Sequence, residues 1–143
     1  MDILLVEDNP DDADLALRAV RGSGRAPRMA HVDDGVRALE FVFGTGEFAG
    51  RGAVALPRVV LLDLKLPRMD GLEVLRRLRD DERTRPIPVV MLTSSKEERD
   101  VLESYRCGVN SYVVKPVNFD AYSRTLTEVV HYWLDINHAA APG

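Results

Sequence analysis

Apolar residues fall into five short runs, each followed by a polar segment and then by a stretch of helical spacing. The central run is Val59 to Leu62 with Leu64, broken only by Asp63. Continuous Val- and Leu-rich runs of this length predict strands buried on both faces, as in parallel sheets. Ile3–Val6, the weaker Arg28–Val32, Val89–Leu92 and Ser111–Val114 complete the set. Between them the spacing predicts a helix over about Asp11–Val20, ended by Gly22-Ser23-Gly24, and a second opening at Asp33-Asp34-Gly35 with Val36, Leu39, Phe41, Val42 and Phe43 apolar. A third helix is expected over about Leu72–Arg79, with Leu72, Val74, Leu75 and Leu78 buried and the arginines in water. A fourth spans about Glu97–Arg106, and a fifth, capped by Asn118, runs from Phe119 to about Asn137. Strand and helix alternate throughout, which predicts a single α/β domain built on a parallel sheet with right-handed crossovers.

Two segments fall outside this rhythm. Gly44–Pro57, rich in Gly and Ala, reads as a long surface loop, unusual in a compact domain. Ala139–Gly143 carries no pattern and reads as disordered. The expected organisation is one domain over residues 1–137, a flexible tail over 138–143 and no output domain.

The chain's 143 residues are enough for a substantial core. A net charge of −4 gives no support to nonspecific nucleic-acid binding, and a DNA-binding output is not expected. No apolar run reaches the roughly 20 residues that span a bilayer, and no basic, cleavable leader follows Met1, so the cytoplasm is the expected compartment. The single cysteine, Cys107, excludes an internal disulfide and is read as a packed thiol. His31, His131 and His138 have no evident chemical partners.

Candidate chemistry lies where the strands end. Ligands of open α/β sheets bind beyond the carboxyl ends of the strands. The first strand there ends in Glu7 and Asp8, the third in Asp63, the fourth in Thr93 and the fifth in Lys115. Asp11 and Asp12 are read separately, as capping and dipole-complementing residues of the first helix. Each residue alone reads most simply as a cap or a turn; the joint pattern is the signal. Three carboxylates in one pocket repel, and oxygen donors without His or Cys suit Mg²⁺. A lysine and a hydroxyl suit the remaining oxygens of a phosphoryl group. Asp63 is then the expected nucleophile, forming an acyl phosphate. Glu7 and Asp8 hold the metal, Lys115 pairs with the phosphate and Thr93 reads its presence.

These residues resemble the receiver domains of two-component response regulators: Glu7-Asp8, Asp63 within DLKLPRMDG, Thr93 after an apolar strand, and Lys115-Pro116 shortly after Tyr112. The resemblance covers nearly the whole chain. It implies a flavodoxin-like (βα)5 fold with strand order 2-1-3-4-5, and Asp63 as the phosphoacceptor from a histidine kinase. It implies Mg²⁺ on the Asp8 and Asp63 side chains and the Lys65 backbone carbonyl, with Glu7 acting through a water. It further implies a cis peptide before Pro116, a switch in which Thr93 moves toward the phosphate and Tyr112 turns inward, and a tuning of hydrolysis by Lys65 and Ser95. A closer similarity, to small stand-alone regulators paired with bacterial phytochromes, rests on the Gly44–Pro57 loop, the lack of an output domain and the HYWLDIN end of the last helix.

Phe119, Tyr122, Leu126, Val129, Trp133 and Ile136 form a heptad-like seam on that helix, broadened by Val130 and Leu134. Part of it must pack on the sheet. Its far end, Trp133 especially, is expected to be exposed unless a partner covers it, which predicts a homodimer through helix four, strand five and helix five. Two other classes stay open. One is a Mg²⁺-dependent aspartyl phosphatase or mutase, although Lys65 stands where such enzymes usually carry a second aspartate. The other is a vestigial receiver acting as a constitutive interaction module.

Overall fold

The computed structural model describes residues 1–22, 24, 26–50 and 56–140. Strands β1 (Ile3–Val6), β2 (Met29–Val32), β3 (Val59–Leu62), β4 (Val89–Thr93) and β5 (Ser111–Val114) alternate with helices α1 (Pro10–Arg21), α2 (Gly35–Phe43), α3 (Gly71–Asp80), α4 (Glu98–Arg106) and α5 (Phe119–His131). The strands form one parallel sheet in the order β2-β1-β3-β4-β5. Both the fold class and the strand order agree with the sequence reading.

Alternation along each strand divides the core. Leu4, Val6, Val60, Leu62, Val89 and Met91 face one way, packing on α2 and α3. Ile3, Leu5, Val59, Leu61, Val90 and Leu92 face the other way, onto α1 and α5. Strands β1, β3 and β4 are buried throughout, whereas β5, at the edge, is only half-buried along its length. Helix α4 buries only Ser104.

Several expectations are corrected in detail. The N-cap of α1 is Asn9, whose Oδ1 accepts from the Asp11 and Asp12 amides, so those aspartates lie in the first turn and are not the cap. Its buried residues are Ala13, Ala16, Ala19 and Val20, small enough to let the helix sit close to the sheet. Gly44–Pro57 is not wholly irregular: Gly46–Phe48 makes a 3₁₀ turn that sets Phe48 edge-on against Phe41, 5.2 Å between ring centres. Residues 51–55 of that segment, Ser23 and residues 141–143 of the tail lie outside the described residues.

Arg79 is half-buried, where exposure was expected. Its guanidinium donates to the carbonyls of Gly108 (2.9 Å), Arg85 (3.0 Å) and Ile87 (2.8 Å) and to Asn110 Oδ1 (2.8 Å), tying the end of α3 to the loops entering β4 and β5. Burial lowers its pKa from the ordinary guanidinium value. Two histidines also have partners: His31 Nε2 lies 2.8 Å from the Glu7 carbonyl, and His131 Nδ1 lies 3.0 Å from Asp135 Oδ2.

The last helix is α-helical only to His131, after which Tyr132–Ile136 winds as a π turn closed by Asn137 N–H on the Tyr132 carbonyl. There the Leu134 carbonyl accepts from Arg58 Nη2 at 2.7 Å. The buried stripe is Tyr122, Leu126, Val130 and Leu134, at a constant step of four, so the heptad-like seam is only partly the inner face. Trp133 is half-buried against the α1/α5 core and edge-on to Tyr132, where exposure was expected. Phe119 and Ile136, the ends of the seam, are the exposed members.

Candidate functional site

Sheet register assembles the site. Val6 pairs with Leu62, and the Asp63 amide donates to the Val6 carbonyl at 3.0 Å, so Glu7 and Asp63 leave adjacent strands side by side. Thr93 pairs with Val114, and the Lys115 amide donates to the Thr93 carbonyl at 2.8 Å, which brings the other two strand ends level. Alternation then sorts the side chains. Glu7, Asp63 and Lys115 each stand two residues beyond Leu5, Leu61 and Val113, which face the α1/α5 layer. Tyr112 packs in the opposite layer, and Thr93 stands two residues beyond Met91 of that layer.

Carboxylate oxygens of Glu7, Asp8 and Asp63 lie within 4.8 Å of one another. Glu7 is 2% exposed, Asp63 9%, while Asp8 opens to solvent. Lys115 Nζ donates to Glu7 Oε1 at 2.5 Å, Asp12 Oδ2 at 3.1 Å and Asp63 Oδ2 at 3.3 Å, using all three of its protons on carboxylates. Burial pushes the Glu7 carboxyl up to about 7, the hydrogen bond from Lys115 opposes this, and the neighbouring Asp63 charge reinforces it. Burial disfavours the charge on Lys115, but the Glu7 hydrogen bond and the Asp63 and Glu7 charges hold its pKa above the ordinary lysine value.

Asp12 is the site residue that the sequence reading missed. Asn9 supplies the cap, which leaves the Asp12 carboxylate free to turn inward. The available signal was the position of Asp12 in the same acidic loop as Glu7. Asn9 has a second task, since its amide donates to Glu7 Oε2 at 3.1 Å and orients that carboxylate.

On the other side, Asp63, Lys65, Thr93, Ser94, Ser95, Lys96 and Glu97 line an open cleft of about 570 Å³. Thr93 is buried, and its Oγ1 accepts from the Ser95 amide at 3.3 Å, so its own proton remains to donate. The Tyr112 hydroxyl donates to the Ser95 carbonyl at 3.0 Å, and burial raises its pKa. Lys65 lines the cleft, with its amide 3.4 Å from Asp63 Oδ1. Gly71 lets α3 start against this corner: a Cβ there would stand 2.2 Å from the Asp63 carbonyl oxygen.

No peptide bond among the described residues is cis, so the Lys115–Pro116 bond is trans, contrary to the expectation. An X–Pro bond separates its isomers by only about 0.5–1 kcal/mol, so sequence alone does not choose between them.

The donor set fits a hard divalent cation: three converging carboxylates, of which one is exposed to solvent, and no nitrogen or sulfur ligand among them. Lys115 now occupies the Glu7 and Asp63 oxygens that such a cation would share.

Comparison with known proteins agrees with this fold. Residues 3–127 match the response regulator receiver domain. The probable methanogenesis regulatory protein FilR2 of Methanothrix harundinacea is 44% identical over 98% of this chain and 88% of its own length. Response regulator Rcp1 of Synechocystis is 35% identical over 93% of this chain and 88% of its length. Among solved structures, the phosphorylated cyanobacterial phytochrome response regulator RcpA superposes with a TM-score of 0.91 at 34% identity, covering 98% of both chains. The Mn²⁺-bound form of Rcp1 gives a TM-score of 0.88 at 34% identity, covering 97% of this chain and 98% of that one. The bacteriophytochrome response regulator RtBRR gives 0.78 at 44% identity, covering 99% of this chain and 83% of that one.

Proposed function

The chain belongs to the response regulator receiver family, and on that premise we propose that it is a phosphorylation-driven signalling switch with Asp63 as phosphoacceptor. The observation that carries the proposal is the Lys115 ammonium 3.3 Å from Asp63 Oδ2, beside carboxylates placed to share a cation. An Asp63 oxygen attacks the phosphorus of a phosphohistidine on a histidine kinase. The new O–P bond forms as the P–N bond breaks. Its electron pair goes to the imidazole nitrogen, and the ring, already protonated on its other nitrogen before the transfer, leaves neutral. Positioning and charge neutralisation carry most of such a transfer.

Asp8, Asp63 and the Lys65 backbone carbonyl would hold Mg²⁺, with Glu7 acting through a water. The cation supplies positive charge to the phosphoryl oxygens. Lys115 supplies a second positive charge and Thr93 a hydrogen bond. The Mn²⁺-bound Rcp1 structure supports a divalent cation at such a site. RcpA and RtBRR, a phytochrome and a bacteriophytochrome response regulator, support a phytochrome-type kinase as the phosphoryl donor.

The output face is α4, β5 and α5. Among the described residues, Leu102, Tyr105, Val117, Phe119, Tyr132 and Ile136 are the exposed large apolar side chains, and all lie on α4 or from the β5–α5 connection onward. We assign a homodimer to this face, with Trp133 half-buried beside it and no nucleic-acid partner. Thr93 and Tyr112 both bond Ser95, so a phosphoryl group that draws the Thr93 hydroxyl away acts on the loop that Tyr112 holds. Such a group shifts the two states only by its difference in affinity for them.

Beryllofluoride titration with Mg²⁺ tests the reading, comparing wild type with Asp63→Asn. Saturable, Mg²⁺-dependent binding by wild type alone is expected, with altered α5 signals. Absence of binding by the wild type sinks the phosphoacceptor and leaves a constitutive interaction module.

A further inference from the structure

Arg68 is the one residue other than glycine with a positive φ among the described residues, at 63°. It stands in the loop between β3 and α3, which carries Lys65 past Asp63. The left-handed region crowds any residue with a Cβ, and such a conformation persists only where its surroundings hold it. Here two features hold it. Arg68 Nε and Nη2 both donate to Asp34 Oδ2, at 3.0 and 2.7 Å. The neighbouring Met69 carbonyl lies so close to α2 that a Cβ at Gly35 would stand 2.0 Å from its oxygen.

Asp34 is buried, and its two oxygens have separate tasks. Oδ1 caps α2 by accepting the Arg37 amide at 2.7 Å, and Oδ2 takes the guanidinium. A helix cap requires only the first. The loop's far end is fixed independently, because the Gly71 amide donates to the Leu64 carbonyl at 2.8 Å. The strained residue and its ion pair therefore fix the free middle of the loop against a different helix.

Building on the proposed cation site, we infer that Arg68 and Asp34 form a clamp that positions the β3–α3 loop, and with it the Lys65 main chain, for the metal. Neither residue touches the cation; both are positioning residues. The clamp also makes the start of α2 part of the site's support, although α2 contributes no side chain to it. Groups hydrogen-bonded directly to a metal ligand commonly change metal affinity by about 10–100-fold when removed, and a clamp one step further out falls at the low end of that range.

The test uses the full chain as Arg68→Ala, Arg68→Gly, Asp34→Asn and the Asp34→Asn/Arg68→Ala double variant. Two quantities are read: amide hydrogen exchange of residues 65–70 without metal, and Mn²⁺ affinity by titration. In Arg68→Ala, loop exchange should quicken and Mn²⁺ affinity should fall about tenfold, with exchange in β1 and β4 unchanged. Asparagine caps helices as well as aspartate, so Asp34→Asn should reproduce both effects without unfolding α2. The double variant should be no worse than Arg68→Ala. Arg68→Gly relieves the strain yet should still weaken Mn²⁺ binding. Unchanged loop exchange and affinity in Arg68→Ala, or additive effects in the double variant, overturn the clamp. A wild type that binds no Mn²⁺ overturns the cation site and the clamp's part in it, whereas loop exchange still reports whether the ion pair holds the loop.

Discussion

The Tyr112 hydroxyl donates to the Ser95 carbonyl at 3.0 Å, linking the edge strand β5 to the loop that leaves β4. That loop also supplies the Ser95 hydroxyl, which bonds Asp100 Oδ2 at 2.6 Å in the first turn of α4. The position of α4, which buries little of itself, therefore depends on polar ties at its start. Tyr112→Phe should destabilise the protein by about 1 kcal/mol, the net value of one such bond, and should quicken exchange over residues 95–100 while β1 and β3 stay protected. Uniform loss of protection across the sheet would instead show that Tyr112 matters mainly through packing.

Lys115 holds three carboxylates, and its removal has two opposed consequences. Lys115→Met leaves Glu7 buried without its cation, which should cost about 3 kcal/mol in metal-free buffer. It also vacates the Glu7 and Asp63 oxygens, so Mg²⁺ should bind more tightly and raise the melting temperature further than in wild type. Calorimetric titration reads both effects. Weaker Mg²⁺ binding by the variant would show that the ammonium does not compete with the cation.

Tyr122 is 4% exposed, and its hydroxyl has no hydrogen-bond partner among the described residues. Burial raises its pKa above the ordinary value of 10.0. The unfolded chain therefore releases this proton first, so the tyrosine's contribution is intact below about pH 10 and is lost as pH rises beyond it. Tyr122→Phe should flatten the alkaline fall in stability, and at neutral pH it should stabilise, because an unsatisfied buried hydroxyl costs about 1 kcal/mol or more. Urea titrations from pH 7 to 11 check both; a destabilised variant at pH 7 would mean that the hydroxyl is satisfied in solution.

Arg79 serves four acceptors with one planar group. A lysine carries a single point of charge and cannot span that fork. Arg79→Lys should lose nearly as much stability as Arg79→Met, about 1–2 kcal/mol, since both lose most of a fork whose acceptors, apart from the Ile87 carbonyl, lie at exposed residues. Near-wild-type urea stability of Arg79→Lys would indicate that charge alone suffices.

Much of this was legible in the chain because it is local. The apolar runs, the cap at Asn118 and the polar residues at the strand ends depend on neighbours a few positions away. Glu7, Asp8, Asp63, Thr93 and Lys115 could be grouped because strand order and alternation bring strand ends to one edge.

What sequence alone determined, then, was the alternating α/β order and the inventory of groups at the sheet's carboxyl edge. Tertiary structure decided the partners. Asp12 meets Lys115 across 103 positions, and Arg68 meets Asp34 across 34. Arg79 is a half-buried fork while Arg76 and Arg77 on the same helix stay exposed, and the last helix buries Val130 and Leu134 while Val129 and Trp133 of the predicted seam are only half-buried. A long polar side chain has the same composition at the surface and in a buried network. Its partner is set by register, crossover and helix rotation, none of which is encoded within a few residues of it.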